Sequence, residues 1–323
     1  MQGGTMRPKC ATVAACVYGL VGMVAIALVM GCSPERKETP TRGRTTVLVS
    51  ESMAPIMEQE QREFEDLYRE AKIDARVTTT RDAIVQFFNV DSIKTIVASR
   101  PMNEEERSVA KRYQIDFAEY KIAFDGLAIV VHHENPVKQL RTTQLDSVFC
   151  GITTKWSQVG WKNSTTSIEI CLPQQDAGEF EVMATKILHG AKFGPASKVV
   201  TSSSAMLEYV AGHSNSIGIV SVGRLGDYKE KVNVLELCDP NAPDSLGISG
   251  QYFTPHQAHI YRGYYPLTSD VYIYCRADMY SVASGFITFI TSAPGQKIVL
   301  NNGLVPATMP VRLVELTNKS LQP

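Results

Sequence analysis

The chain has 323 residues, 44% of them hydrophobic and 20% charged, with 32 Lys and Arg against 33 Asp and Glu for a formal net charge of -1. That length supports one large or two ordinary domains with a substantial core, and the composition is that of a globular chain. The even charge balance, with no basic run and no interleaving of aromatic and basic residues, excludes a nucleic-acid binder of the usual kind.

The N-terminus reads as a processing segment. Arg7 and Lys9 precede an uncharged run, Cys10 to Met30, long enough to span a bilayer. It closes on "LVMGCS", where Gly31-Cys32 resembles the lipobox of bacterial lipoproteins. In that reading residues 1–31 are removed as a signal peptide, Cys32 carries lipid, and the rest lies outside the cytoplasm, anchored to a bacterial membrane. The alternative is an uncleaved signal anchor. Removal of Arg7 and Lys9 takes the net charge to -3. Residues 32–44 ("CSPERKETPTRGR" from the cysteine onward) are polar and aperiodic and read as a tether.

From Thr45 the pattern becomes α/β. "TTVLVS" (45–50) is a continuous apolar run of the kind a doubly covered strand needs. "PIMEQEQREFEDLYREAKI" reads as an amphipathic helix with Pro55 at its start. "ARVTTT" follows as a strand, "DAIVQFFNV" as a helix, "IKTIVASRP" as a strand, "NEEERSVAKRYQ" as a charged helix and "DGLAIVVHH" as a buried strand. "SIEICL" alternates as a strand does, and the apolar positions from Phe180 to Leu188 fall at helical spacing before Gly190. "NSIGIVSVG" and "DVYIYCRA" are strands, and "VASGFITFITSAPGQKIVLNNG" reads as one long helix. Strands alternating with helices predict parallel sheets.

Cys150, Cys171, Cys238 and Cys275 follow Cys32. Cys171 and Cys275 fall inside strands, and a chain of this size needs no staples, so free buried thiols are expected over disulfides.

Ligands of open α/β sheets bind beyond the C-terminal ends of the strands. Four strand-to-helix turns qualify: "SESMAP", "TTTRDA", "ASRPMN" and "PQQDAGEF". The first three offer Ser50, Ser52, Thr79, Thr80, Arg81, Ser99 and Arg100, hydroxyls and guanidiniums that suit an oxyanion. Taken singly, each Ser or Thr is as well explained by turn formation or capping. The fourth turn carries Asp176, Ala177, Gly178 and Glu179 at the start of a helix. Asp176 stands where an N-cap would, and Glu179 three residues on could close a capping box.

The stretch "FDGLAIVVHHENPVKQLRTTQLDSVFCGITTKWSQVG" resembles the phosphate-binding proteins of ABC importers, the PstS-like family. Its elements are Asp125-Gly126, Asn135-Pro136-Val137, a Thr-initiated helix, Phe149, Gly151 and Lys155-Trp156. "ASRPMNEEE", "NSIGIVSVG", "YYPLTSDVYIY" and "APGQKIVLNNGLVPA" extend the resemblance across residues 45–307. It implies a two-lobed type II periplasmic binding protein fold, with a mostly parallel sheet in each lobe and two crossover strands as hinge. Lobe I would hold 45–128 and 232–323, and lobe II 129–231. It further implies capture of phosphate or another small oxyanion for a membrane permease, with no cofactor and no enzymatic chemistry. No Ser-His-Asp order, nucleophile elbow or metal triad stands against that.

The fourth turn departs from the family pattern Arg-x-x-Gly-Ser-Gly-Thr. Pro173 stands for the Arg, Asp176-Ala177-Gly178 for Gly-Ser-Gly, and Glu179 for the Thr. A carboxylate about 4 Å from phosphate costs about 4 kcal/mol at an effective dielectric near 20, some three decades of affinity. Three readings stay open: a phosphate receptor with a rebuilt, weakened shell, the same fold with a zwitterionic or cation-bearing ligand, and a ligand-free lipoprotein that is structural or binds a partner. Two smaller features are a His132-His133-Glu134 run with His256 and His259, which have metal-ligand chemistry but read as ordinary loop residues with no metal expected, and an aromatic segment, 251–265, that could face a partner or pack over its own lobe.

Overall fold

The computed structural model describes residues 37–309 apart from Lys229. The expected lipidation site Cys32 and the expected signal peptide 1–31 lie outside the described residues. Strand β1 (Gly43–Ser50) lies between β2 (Ala71–Thr78) and β3 (Thr95–Ala98), parallel to both. Helices α1 (Ala54–Leu67) and α2 (Thr80–Asn89) connect these strands, and α3 (Glu104–Arg112) follows β3. The long strand β4 (Ala118–His132) then leads to the short β5 (Gln139–Arg141) and α4 (Thr142–Phe149). After it come β6 (Glu169–Pro173), α5 (Gly178–Lys186), β7 (Lys198–Val200), α6 (Ser203–Gly212) and β8 (Ser216–Ser221). Strands β9 (Val232–Val234) and β10 (Glu236–Cys238), helix α7 (Gln257–Tyr261), β11 (Thr268–Cys275), α8 (Val282–Thr291), α9 (Ala293–Asn301) and β12 (Val305–Pro306) complete the fold.

The sheet runs β2-β1-β3-β11-β4-β8-β6-β7, with β9 and β12 also paired to β4. This is the mixed α/β architecture expected. Parallel pairing prevails at both ends, and β4 and β11 supply the antiparallel pairs in the middle. Strand β4 changes partners along its length. Residues 118–126 pair with β11, and Leu127–Val131 pair with β8. Its side chains accordingly enter three cores, with Ala128 and Val130 packing beside Cys171, Met206 and Val220 in one of them. Ile122 and Ala123 pack with Val47, Phe64 and Phe286, while Leu127, Ile129 and Val131 pack with Phe149, Trp156 and Ile217.

Three local expectations change. The helical pattern of α1 runs to Ile73 in the sequence, but the helix stops at Leu67 because Ala71–Thr78 pairs residue for residue with β1. The single helix read over 282–303 is two helices, α8 and α9, with extended Ser292 between them. Pro294 has no N–H to continue the ladder. The Gln296 side chain, fully buried, donates instead to Ile290 O at 3.0 Å and to Ile122 O at 3.1 Å. Finally, the expected tether reaches the folded part before residue 44: Glu38 accepts a bond from Val282 N at 2.9 Å, at the first turn of α8.

Candidate functional site

Parallel strands β1, β2 and β3 end side by side, so the turns that follow them meet. Ser50, Thr80 and Ser99 are almost fully buried there. Ser50 Oγ donates to Val97 O at 2.9 Å and lies 2.8 Å from Thr80 Oγ1, which lies 2.9 Å from Ser99 Oγ. Ser99 N also donates to Ser50 Oγ at 3.2 Å. A hydroxyl has one proton to give. With Ser50 committed to Val97, Thr80 must donate to Ser50 and Ser99 to Thr80. The hydroxyl protons expected to meet an oxyanion are therefore spent on one another.

The fourth turn lies on this chain. A Cβ at Gly178 would collide with Ser99 Oγ and Thr80 Oγ1, so only glycine permits the approach. The expected capping box does not form. Ala177 holds the N-cap position of α5 and has no side-chain acceptor, which puts Asp176 one residue too early. Asp176 bonds outward: its carboxylate accepts from Thr79 Oγ1 at 3.0 Å, and its carbonyl accepts from Arg81 N at 3.1 Å. The Arg81 side chain is exposed.

Arg100 is buried and is not a free cation. Its guanidinium meets Glu106 at 2.7 Å and Glu181 at 2.6 Å, and donates to Pro101 O at 2.9 Å. Burial disfavours its charge, but the two carboxylates outweigh this and hold its pKa above the ordinary value. Glu179, 7% exposed, is the opposite case. Burial pushes its carboxyl up, despite pulls downward from the Ser52 hydroxyl and its own N–H; the Glu51 charge adds to the rise and Arg224 opposes it. Glu179 Oε1 and Ser52 Oγ reach no partner in hydrogen-bond geometry, although the two groups are near enough to influence each other. Asp125, fully buried in the middle of β4, is pushed up to about 8 by burial, with the Ser221 hydroxyl nearby but out of bonding geometry.

A fifth turn completes the site and escaped the sequence reading. Glu51 accepts from Ser203 N at 3.1 Å and Ser203 Oγ at 2.7 Å, at the start of α6, and pairs with Arg224 at 3.2 Å. "SKVVTSSSAM" is a strand–turn–helix passage like the other four, so the same rule would have found it. Between these turns lies a cavity of about 30 Å³, lined by Ser52, Thr79, Thr80, Gly178, Glu179 and Ser203 among others. It has room for about one or two waters and is too small for a tetrahedral oxyanion.

The remaining candidates fall elsewhere. Ligand atoms of His132, His133 and Glu134 lie within 4.8 Å of one another, but His132 Nδ1 accepts from Glu134 N at 3.2 Å, which places the ring proton on Nε2. His256 Nδ1 accepts from Ala258 N at 3.2 Å in capping α7, and His259 Nδ1 meets Thr254 O at 3.0 Å. In segment 251–265, Phe253 packs on His259 and Tyr264, and the buried Tyr265 donates to Leu127 O, which leaves Tyr261 exposed. Cys150, Cys171, Cys238 and Cys275 are unpaired, as expected. Among the described residues, no helix is long and apolar enough to cross a membrane.

Comparison with known proteins agrees with this architecture. The family profile of a PBP superfamily domain matches residues 34–294. Protein SphX of Synechococcus elongatus is 25% identical over 282 residues, 84% of this chain and 80% of its own. The phosphate-binding protein PstS of Staphylococcus epidermidis is 25% identical over 251 residues, 76% of this chain and 74% of its own. A Clostridium perfringens protein solved with bound phosphate, described as a phosphate ABC transporter substrate-binding protein, superimposes with a TM-score of 0.70 at 21% identity. That match covers 82% of this chain and 100% of its own. An ABC-type phosphate transport receptor from Vibrio cholerae gives 0.62 at 22% identity over the same shares. These are binding proteins rather than enzymes. The chain belongs to the PBP superfamily, and its relatives there are PstS-like phosphate-binding proteins.

Proposed function

We propose that the chain is an extracytoplasmic solute-binding protein of the PstS-like kind, held to a bacterial membrane by lipid on Cys32. Its ligand class is phosphate or another small oxyanion, delivered to an ABC permease, and its ligand shell is weakened. The observation that carries this reading is the convergence of five strand-to-helix turns on one cleft, where the chain's own carboxyl groups take up donors that an oxyanion needs. Residues 45–128 with 232–323 and residues 129–231 serve as the two lobes. Ser50, Ser52, Thr79, Thr80, Arg81, Ser99, Arg100 and Asp176 to Glu179 are the cleft residues. A second reading, a lipoprotein that binds a partner without a solute, is favoured by the Arg100–Glu181 and Glu51–Arg224 pairs, which join the two parts directly.

Titration calorimetry with inorganic phosphate separates the two. The parent chain is expected to bind no more tightly than micromolar. The variant Pro173→Arg, Asp176→Gly, Ala177→Ser, Glu179→Thr is expected to bind about 100-fold more tightly, equivalent to about 2.7 kcal/mol. Tight binding by the parent would overturn the weakened shell. Silence in both proteins supports the partner-binding reading.

A further inference from the structure

We propose that Glu179 is the specificity-determining residue of the cleft: its side chain fills the place where the helix N-termini would meet a solute oxyanion, and thereby weakens the hold on that class of ligand. The inference rests on reading the cleft as a solute site.

Helices α2, α5 and α6 begin at Thr80, Gly178 and Ser203, and all three residues line the same small cavity. Free N–H groups and the positive dipole ends of three helices make such a place receptive to negative charge. The chain answers this demand with its own groups. The Glu51 carboxylate takes the first N–H and the hydroxyl at the start of α6. The Asp176 carbonyl takes the Arg81 N–H in the first turn of α2, and its carboxylate takes the Thr79 hydroxyl. The start of α5 is left to Glu179, the second residue of that helix.

Glu179 is more than nine-tenths buried, lines the cavity, and has an oxygen without a hydrogen-bond partner. Ser52 is buried to the same degree and lines the same cavity, and its hydroxyl is likewise unpartnered. Two unsatisfied polar groups facing one small cavity are costly unless the place has a use. Arg224 pulls the Glu179 carboxyl down, but not enough to offset its burial. Arg224 is engaged by Glu51, and Arg100 by Glu106 and Glu181. A phosphate entering here meets steric overlap with the carboxyl group first and, if Glu179 ionises, a second negative charge in a poorly solvated place. Replacing Glu179 with Thr removes two heavy atoms and the ionisable group, and adds a hydroxyl at the helix start.

The test uses the full chain in detergent and inorganic phosphate, read by titration calorimetry, with thermal melts to verify folding. Glu179→Thr is expected to bind phosphate at least about tenfold more tightly than the parent. Glu179→Ala should move the same way by less, and keeps the test open if the threonine variant is poorly folded. Glu179→Gln, which preserves the volume, should remain at the parent's level. A gain in Glu179→Gln equal to that in Glu179→Thr would overturn the filling role. So would no gain in either smaller variant while the fourfold variant described above binds phosphate. Silence in the fourfold variant as well defeats the solute-site reading itself, and the inference falls with it.

Discussion

Glu60 sits in the apolar stripe of α1 between Ile56 and Phe64, fully buried, with neither carboxyl oxygen partnered. Burial, with a smaller push from Glu63, raises its pKa to about 8, and Asp125 reaches about 8 in the same way. In the folded protein both groups hold a proton that the unfolded chain loses in the ordinary carboxyl range. Stability from these groups is therefore greatest below that range and falls as pH rises toward 8. Melts followed by circular dichroism should give a lower midpoint at pH 8.5 than at pH 5.5. Glu60→Gln should raise stability at pH 9 by about 1–3 kcal/mol. A flat pH profile would mean these carboxyl groups are not neutral in the fold. Arg100 carries the reverse expectation. Arg100→Ala strands Glu106 and Glu181 in a poorly solvated place and should cost about 3–5 kcal/mol, part of which Arg100→Ala with Glu181→Ala should recover. The sequence located Ser50, Thr80, Ser99 and Asp176 in turns that do meet. It could not reveal that their donors would be spent on each other, because those partners are 19 to 97 residues apart.

Helices and strands were legible where local pattern and tertiary pairing agree. Helix α3 starts where Asn103 and Glu106 form a reciprocal cap, and both residues can be read from the sequence. The first half of β4 was missed because residues 118–120 are exposed and carry no apolar run; their strand character comes from pairing with β11. The α8–α9 break was hidden because apolar spacing continues through it, and only the missing N–H of Pro294 interrupts the ladder. Gln296 then joins the end of α8 to β4 from inside the core. Gln296→Leu fills the space but leaves Ile290 O without its donor and Thr308 N without its acceptor, so it should destabilise by about 1–3 kcal/mol in urea melts. A neutral result would show that these two groups find other partners.

The order of strands and the family resemblance made the whole architecture readable, whereas the change of partners along β4 needed the three-dimensional pairing. At this scale the lipid anchor has a direct test. Cys32→Ala should abolish labelled-palmitate incorporation and free the protein from the membrane fraction or stall it as a precursor; unchanged labelling would refute the anchor. The contacts across the cleft also predict a scattering result. The radius of gyration should not change on adding phosphate, and should grow in Arg100→Ala with Arg224→Ala.

Those cross-cleft pairs reach further than the cleft. A receptor that shuts only around its solute reports how much solute is present, because its shape is a function of occupancy. On the partner-binding reading, Glu181 and Arg224 reach Arg100 and Glu51 directly, so the chain's own ion pairs, and not a solute, would hold the shut shape. A membrane partner that recognises that shape would find it at every solute concentration. What such a partner reads is then the number of receptors on the membrane, and the informative variable becomes expression rather than supply.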